Sequence, residues 1–261
     1  MGGDGVGLYH CEGIVLRTRN IGEADRIVTL FTKEKGKIEA VARGARRPRN
    51  RLVGVTQHFS YLRALIFTGK SLDQLSQGEL IKSFAPLRAD LTKMAYATWW
   101  SELLDVFLPL AEVNTEVFLF ALAGLVVLEK TTDPMLVSRA FELRLLRYLG
   151  YEPVLDRCVH CQETNPPFWA GFAPTEGGML CSVCAKEAGE KLIPVRPAAV
   201  QALTGLYQAD LRAVARQPVD LALGQELGRL LFAFIQNRAE KPFKSLSFLQ
   251  SLLAWPPSEG S

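Results

Sequence analysis

Cys158-Val159-His160-Cys161 and Cys181-Ser182-Val183-Cys184 carry two cysteine pairs of identical internal spacing, separated by nineteen residues. The pattern C-x2-C-x19-C-x2-C falls in the window of a four-thiolate zinc site. Two residues between cysteines let a tight turn present both sulfurs to one ion, and two such turns complete a tetrahedron with no position open to substrate or water. The expected metal is therefore one structural Zn2+ held by Cys158, Cys161, Cys181 and Cys184, and the chemistry of the chain must be sought elsewhere. His160, inside the first knuckle, is not needed as a ligand and is expected in solvent or beside the thiolates.

Outward from the cysteines, residues 154–189 are rich in Pro, Gly and turns (Asn165-Pro166-Pro167, Gly177-Gly178) and poor in core residues, the composition of an insert that a metal holds together. Helical signals flank it. Upstream, Leu87 to Leu108 is long, apolar and free of internal turn signals, so one helix is expected there. Asn114 is placed to cap a helix running to Lys130, and Asp133-Pro134 marks a third start, with Asp as cap and Pro at the first helical position. Gly150 marks that helix's end. Downstream of Pro197, Leu227, Leu230, Leu231, Phe234 and Ile235 recur at helical spacing. The bundle thus draws residues from both sides of the insert.

Residues 10–84 have a different period. Five short apolar runs separated by turns, with Lys33-Glu34-Lys35-Gly36 and Gly69 as hairpin tips, fit a small five-stranded barrel, most simply an OB fold. The fold class expected is α+β multidomain: an N-terminal OB-fold β-barrel and a C-terminal helical bundle carrying the four-cysteine module. The divisions are a flexible leader at 1–9, the barrel at 10–84, a first helical part at 85–153, the zinc insert at 154–189, a second helical part at 190–255 and a disordered tail at 256–261. No apolar run approaches the roughly 20 residues needed to span a bilayer, and the leader lacks the features of a signal peptide. Paired thiols without such a signal point to a reducing cytoplasm and a metal, not disulfides. Cys11, the fifth cysteine, reads as a small buried hydrophobe.

The net charge of +3 is small, but its distribution is uneven. Between Lys33 and Arg51 stand eight basic residues against Glu34 and Glu39, leaving the remainder of the chain net acidic. Five of the eight are arginines within 43–51, a stretch without an acid. Guanidinium forks match phosphate oxygens, so a mobile basic loop beside a barrel is expected to clamp a nucleic-acid backbone. The plain alternative is a solvated loop serving solubility. Of the aromatics nearby (Phe31, Phe59, Tyr61, Phe67), most belong in the core, with one or two free to stack on bases. Enzyme signatures are thin. Gly69-Lys70-Ser71 loosely imitates a phosphate loop, but bulky β-forming residues precede it and a strand follows where a helix is required. No nucleophile with an evident base is apparent, and no enzyme is expected.

Several stretches together resemble the bacterial RecO family of recombination mediators. Gly13–Arg17 and Gly22–Thr32 look like its first two strands, Gly36 with Val41–Arg49 like its third strand and basic turn, Arg144–Pro153 before Cys158 like the entry to its zinc insert, and Lys241–Leu249 like its closing helix. The resemblance covers roughly residues 10–253. It implies an OB domain that binds ssDNA and dsDNA and anneals complementary strands. It also implies the partners RecR and the single-stranded-DNA-binding protein (SSB), with a recombinase loaded indirectly, in the cytoplasm at the nucleoid. Carried over residue by residue, the DNA contacts are Arg17, Lys35, Lys37, Arg43, Arg46, Arg47, Arg49 and Arg51. The chain departs at its Gly-rich leader and at Leu246, where the family commonly has arginine. Two rival readings remain: an RNA-directed OB and zinc-module protein, and a protein–protein adaptor without a nucleic-acid role.

Overall fold

The computed structural model describes residues 7–164, 166, 168–187, 189, 191–218 and 220–252. Most of the expected leader and the whole expected tail lie outside the described residues. The chain forms two compact units, residues 1–130 with Ser245–Leu249, and residues 131–244 with 250–261.

The first unit is built on a closed barrel of order β1-β2-β3-β5-β4, the OB-like arrangement. Its strands are β1 (Leu8–Ile21), β2 (Asp25–Thr32), β3 (Gly36–Ala42), β4 (Tyr61–Phe67) and β5 (Asp73–Lys82). β1 is longer than its apolar centre indicates because it serves two partners. Leu8 to Ile14 pair with β4, Gly13 to Ile21 pair with β2, and a register shift between Val15 and Arg17 bends the strand between them. Alternate residues point inward, so Cys11, Val15, Val28, Leu30, Ile38, Ala40, Leu62, Ala64, Ile66 and Leu75 form one core. A one-turn helix, α1 (Leu52–Val55), adds Leu52 and Val55 to that core. As expected, Cys11 is buried.

Closure between β3 and β5 is brief, limited to Ala40↔Asp73 and Val41↔Gln74 in parallel. The other half of that edge is met by the connector after α3 (Leu91–Phe107): Leu110 bridges Lys37, and the N–H of Ala111 donates to the Lys37 carbonyl at 2.9 Å. Gly36 permits this approach. Its φ is +66°, and a Cβ there would lie 2.0 Å from the carbonyl oxygen of Glu112.

The single helix expected over Leu87–Leu108 is two: α2 (Ala85–Ala89) and α3, broken at Asp90. Asp90 is extended, and its carboxylate accepts from the N–H of Lys93 at 3.0 Å, which starts the second helix. In α4 (Thr115–Lys130), Asn114 caps as expected through Val117 N–H at 3.0 Å. These helices, expected as the first part of a helical domain, group with the barrel. Phe118 of α4 meets Phe31 at 5.6 Å and Tyr61 at 6.2 Å between ring centroids.

The second unit holds α5 (Met135–Tyr148), α6 (Pro197–Gln208), α7 (Leu211–Val214) and α8 (Leu221–Arg238) around the cysteine module. Asp133 accepts from Met135 N–H at 2.9 Å, and the helix begins one residue after Pro134. Gly150 ends α5 at φ +79°, with Tyr151 N–H reaching back to the Leu146 carbonyl at 2.8 Å. Leu227, Leu230, Leu231, Phe234 and Ile235 are all buried. The last helix, α9 (Ser245–Leu252), has its first five residues in the first unit, where Leu246 is buried and Glu102 accepts from the Ser245 N–H at 2.7 Å.

Candidate nucleic-acid interface and metal centre

The cysteine module is a three-stranded sheet of order β6-β8-β7, from β6 (Val154–Cys158), β7 (Trp169–Ala173) and β8 (Gly178–Cys181). Cys158 ends β6 and Cys181 ends β8, so the sheet delivers the first cysteine of each knuckle. The chain then turns: the N–H of Gln162 donates to the Cys158 carbonyl at 2.9 Å, with Gln162 at φ +62°. All four sulfurs lie within 4.8 Å of one another, and Cys161 Sγ and Cys181 Sγ are 3.8 Å apart. A tetrahedron of Zn–S bonds near 2.3 Å has edges of about 3.8 Å, so the donor set fits that ion. Burial opposes ionisation of Cys158, but the backbone amides of Cys181, Cys161 and His160 outweigh it and hold its thiol down to about 6. Its neighbours share that one charge: the thiol of Cys184 is pushed up to about 12, mainly by Cys181 and by burial. A divalent cation relieves such a cluster by taking all four as thiolates. His160 is no ligand; its Nε2 faces Glu176 Oε2 at 3.6 Å.

The module is secured by packing as well. Phe172 stacks edge-on against Phe234 of α8 at 5.9 Å, and Arg238 donates to the Pro174 carbonyl at 2.8 Å. Ile193 and Phe172 exchange backbone bonds of 2.8 and 2.9 Å.

The basic loop follows β3. Its small residues go inward and its arginines outward: Gly44 and Ala45 are buried, while Arg43, Arg46, Arg47, Arg49 and Arg51 are exposed. It is more ordered than a mobile clamp. Asp25 accepts from the N–H of Gly44 at 2.7 Å, the N–H of Arg46 donates to Ala24 at 2.9 Å, and the Arg46 guanidinium donates to the Gly22 carbonyl at 2.8 Å. Asn50 spans the loop, donating to the Arg43 carbonyl at 3.1 Å and accepting from Leu52 N–H at 2.8 Å.

The other three basic residues do not join these five. Lys37 is buried, donating to the Asp105 carbonyl and facing Asp105 Oδ1 at 3.3 Å. The same carboxylate takes Arg17 at 3.3 Å, and Glu39 takes Arg17 at 3.2 Å. Lys37 thus forms an internal ion pair between β3 and α3, and Arg17, though exposed, faces two carboxylates, so neither stands as free as the five loop arginines. Lys35 is exposed in the β2–β3 turn, with its ammonium 5.4 Å from the Tyr9 ring. The length of β3 separates it from the arginine loop, roughly 20 Å at strand rise. Among the aromatics, Phe31 and Phe59 are buried, Tyr61 donates to Glu12 at 2.6 Å, and Phe67 is 39% exposed. Gly69-Lys70-Ser71 lies between β4 and β5 with no helix after it, and Asp73 accepts from Gly69 N–H at 3.2 Å. Among the described residues, no helix is long and apolar enough to cross a membrane.

Two guanidiniums and an imidazole not singled out in the sequence meet at residues 56–58. Arg26 donates to Thr56 Oγ1 at 3.3 Å, Arg88 donates to the carbonyls of His58 and Ser83 at 2.7 and 2.6 Å, and His58 Nε2 lies 3.2 Å from the N–H of Thr18. Burial, then the charges of Arg26 and Arg88, hold His58 below the usual imidazole range.

Comparison with known proteins joins both halves of the chain to one family. Residues 6–84 match the family model "Recombination protein O N terminal" and residues 88–247 match "Recombination protein O C terminal". A "DNA repair protein RecO" of Symbiobacterium thermophilum is 44% identical over 250 residues, covering 95% of this chain and 98% of that protein. Proteins of the same name from Moorella thermoacetica and Bacillus subtilis are each 34% identical, covering 94% of this chain and 92% and 95% of theirs. With a closed OB-like barrel, a four-cysteine cluster and both family models in order, the chain belongs to the RecO family, which acts in DNA repair and recombination.

Proposed function

We propose that this chain is a non-enzymatic mediator that holds DNA strands by their phosphates and brings complementary strands together. The observation that carries the reading is the loop of five exposed arginines, free of acids and shaped by Asp25 and Asn50, at one end of an OB-like barrel. Guanidiniums fixed on the backbone side leave bases free to pair, and neutralising phosphates on both strands lowers their repulsion during annealing. Family membership supports the further partners: RecR, SSB on single-stranded DNA, and through them a recombinase. The zinc has an architectural part in this scheme, and the protein works in the cytoplasm at the nucleoid.

The loop offers about five phosphate contacts, so the log–log salt slope for single-stranded DNA is expected near −3 to −4. Arg46→Glu with Arg49→Glu, two charges reversed on an exposed loop, should cut annealing at least tenfold and flatten the slope while the melting temperature holds. Affinity indifferent to salt, or annealing unchanged in the double variant, refutes the clamp. Matched DNA and RNA oligomers in competition separate this reading from an RNA-directed one.

A further inference from the structure

Arg26 and Arg88 are half-buried cations without a carboxylate. Among the described residues no acid lies within 4 Å of either, whereas Arg17, Lys37 and Arg63 are each paired. Both donate into one short segment, Arg26 to Thr56 and Arg88 to His58, so the segment is gripped from β2 on one side and α2 on the other. Neither guanidinium is used up. Among the described residues, Arg88 and Arg26 each bond through Nη1 alone, and Arg26 Nε is buried and meets no acceptor. His58 accepts from Thr18 N–H, and the charges of both arginines press on it.

An unbonded guanidinium nitrogen shielded from water is costly unless an anion completes it. In Arg26 the shielded nitrogen is Nε, and two guanidiniums with nitrogens to spare, both acting on one histidine and with no competing acid, suit the oxygens of a phosphate. The place is continuous with the arginine loop. Arg26 pairs in register with Ala42, the residue before Arg43, and Arg46 N–H binds the Ala24 carbonyl two residues ahead of Arg26.

We propose that Arg26 and Arg88 form a second phosphate seat at this end of the barrel, taking a phosphate of the same strand that the arginine loop holds. The proposal rests on the nucleic-acid reading above, and it directs the strand from the loop over the Thr56–His58 segment toward α2, away from the Lys35 end.

The test uses the full chain and an unphosphorylated fluorescent oligothymidine, with anisotropy read across a salt series. Arg88→Gln and Arg26→Gln should each weaken binding and make the slope shallower by about 1, uniformly across sequences. Arg88→Lys, which keeps the charge, should retain the slope. Melting temperatures identify any variant lost to misfolding, and two sites on separate elements keep one informative if the other fails. If the wild type binds steeply and both glutamine variants keep its slope and affinity, the seat is overturned while the clamp stands. Absence of wild-type binding at low salt removes the clamp and the seat together. If inorganic phosphate at constant ionic strength lowers the affinity of the wild type and of both glutamine variants alike, the two arginines seat no phosphate and the proposal is overturned.

Discussion

The N–H of Gly44 lies 2.7 Å from Oδ1 of Asp25, a bond that ties the basic loop after β3 to the turn between β1 and β2. Gly44 sits at φ +67°, and a Cβ there would meet Asn50 Nδ2 at 2.5 Å, so the close approach depends on glycine. One carboxylate, unpaired with any side-chain cation among the described residues, thereby anchors the start of the loop that carries five arginines.

Removing that acceptor should therefore affect the site more than the fold. Asp25→Ala is expected to cost about 1.5–3 kcal/mol of stability, the range of a hydrogen bond to a charged group, and to weaken DNA binding. Asp25→Asn keeps an acceptor and should restore most of the affinity. Thermal melts with anisotropy titrations check both. Equal DNA affinity in Asp25→Ala and the wild type would show that the loop needs no anchor.

Lys37 and Arg17 lead to the opposite expectation. Lys37→Met leaves the Asp105 carboxylate short of a buried partner and should lower stability by about 1–3 kcal/mol. DNA affinity should change less than twofold. Arg17→Ala, on an exposed pair, should change stability by less than about 1 kcal/mol. A large affinity loss in either variant at unchanged fold would return these residues to the contact set.

The barrel, the helical starts at Asn114 and Asp133, the stop at Gly150 and the gathering of the four cysteines were all legible in the sequence. Each is signalled by residues close in sequence: a cap and its helix, or two cysteines in one turn. What escaped depends on distant partners. Lys37 looks like its neighbours until Asp105, from a later helix, reaches it. Arg17 looks free until Glu39 and Asp105 converge on it. The basic loop reads as mobile because the bond to Asp25 joins residues nineteen apart across a hairpin. Arg26 and Arg88 are single basic residues in apolar surroundings, and only the fold brings them to one segment. The break at Asp90 had a local signal, an Asp followed by Leu91-Thr92-Lys93, hidden by the apolar run around it.

Chelation should separate the two chemistries. With zinc removed, hydrogen exchange should rise across residues 154–187, with the charge of four crowded sulfurs no longer compensated. DNA affinity through the barrel should change little. Cys181→Ser should behave alike, and loss of DNA binding with a retained fold would contradict the division of labour. Affinity for the metal should fall as pH is lowered, because thiols must lose protons to bind it.

His58 gives a pH signature in the fold itself. Its folded-state value is depressed, so the unfolded chain takes up a proton first as pH falls. The histidine's contribution is fully present above its unfolded value near 6.5 and declines as pH drops below it. Comparing the stability of wild type and His58→Gln between about pH 7.5 and 5 isolates this increment, with the difference shrinking toward acid. A difference that stays constant over that range would mean that the ring titrates normally.

The meeting of Leu110 with Lys37 reaches beyond the site. A barrel closed by only two residue pairs would, without a cover, leave part of β3 with bare backbone donors and acceptors, the template on which strands of separate copies stack. The connector from α3 lies along that edge, under a glycine that leaves it room. Any change that lifted residues 109–112 from β3 would first be noticed as self-association on concentration. A stretch that joins two helices thus doubles as the cover of a strand edge.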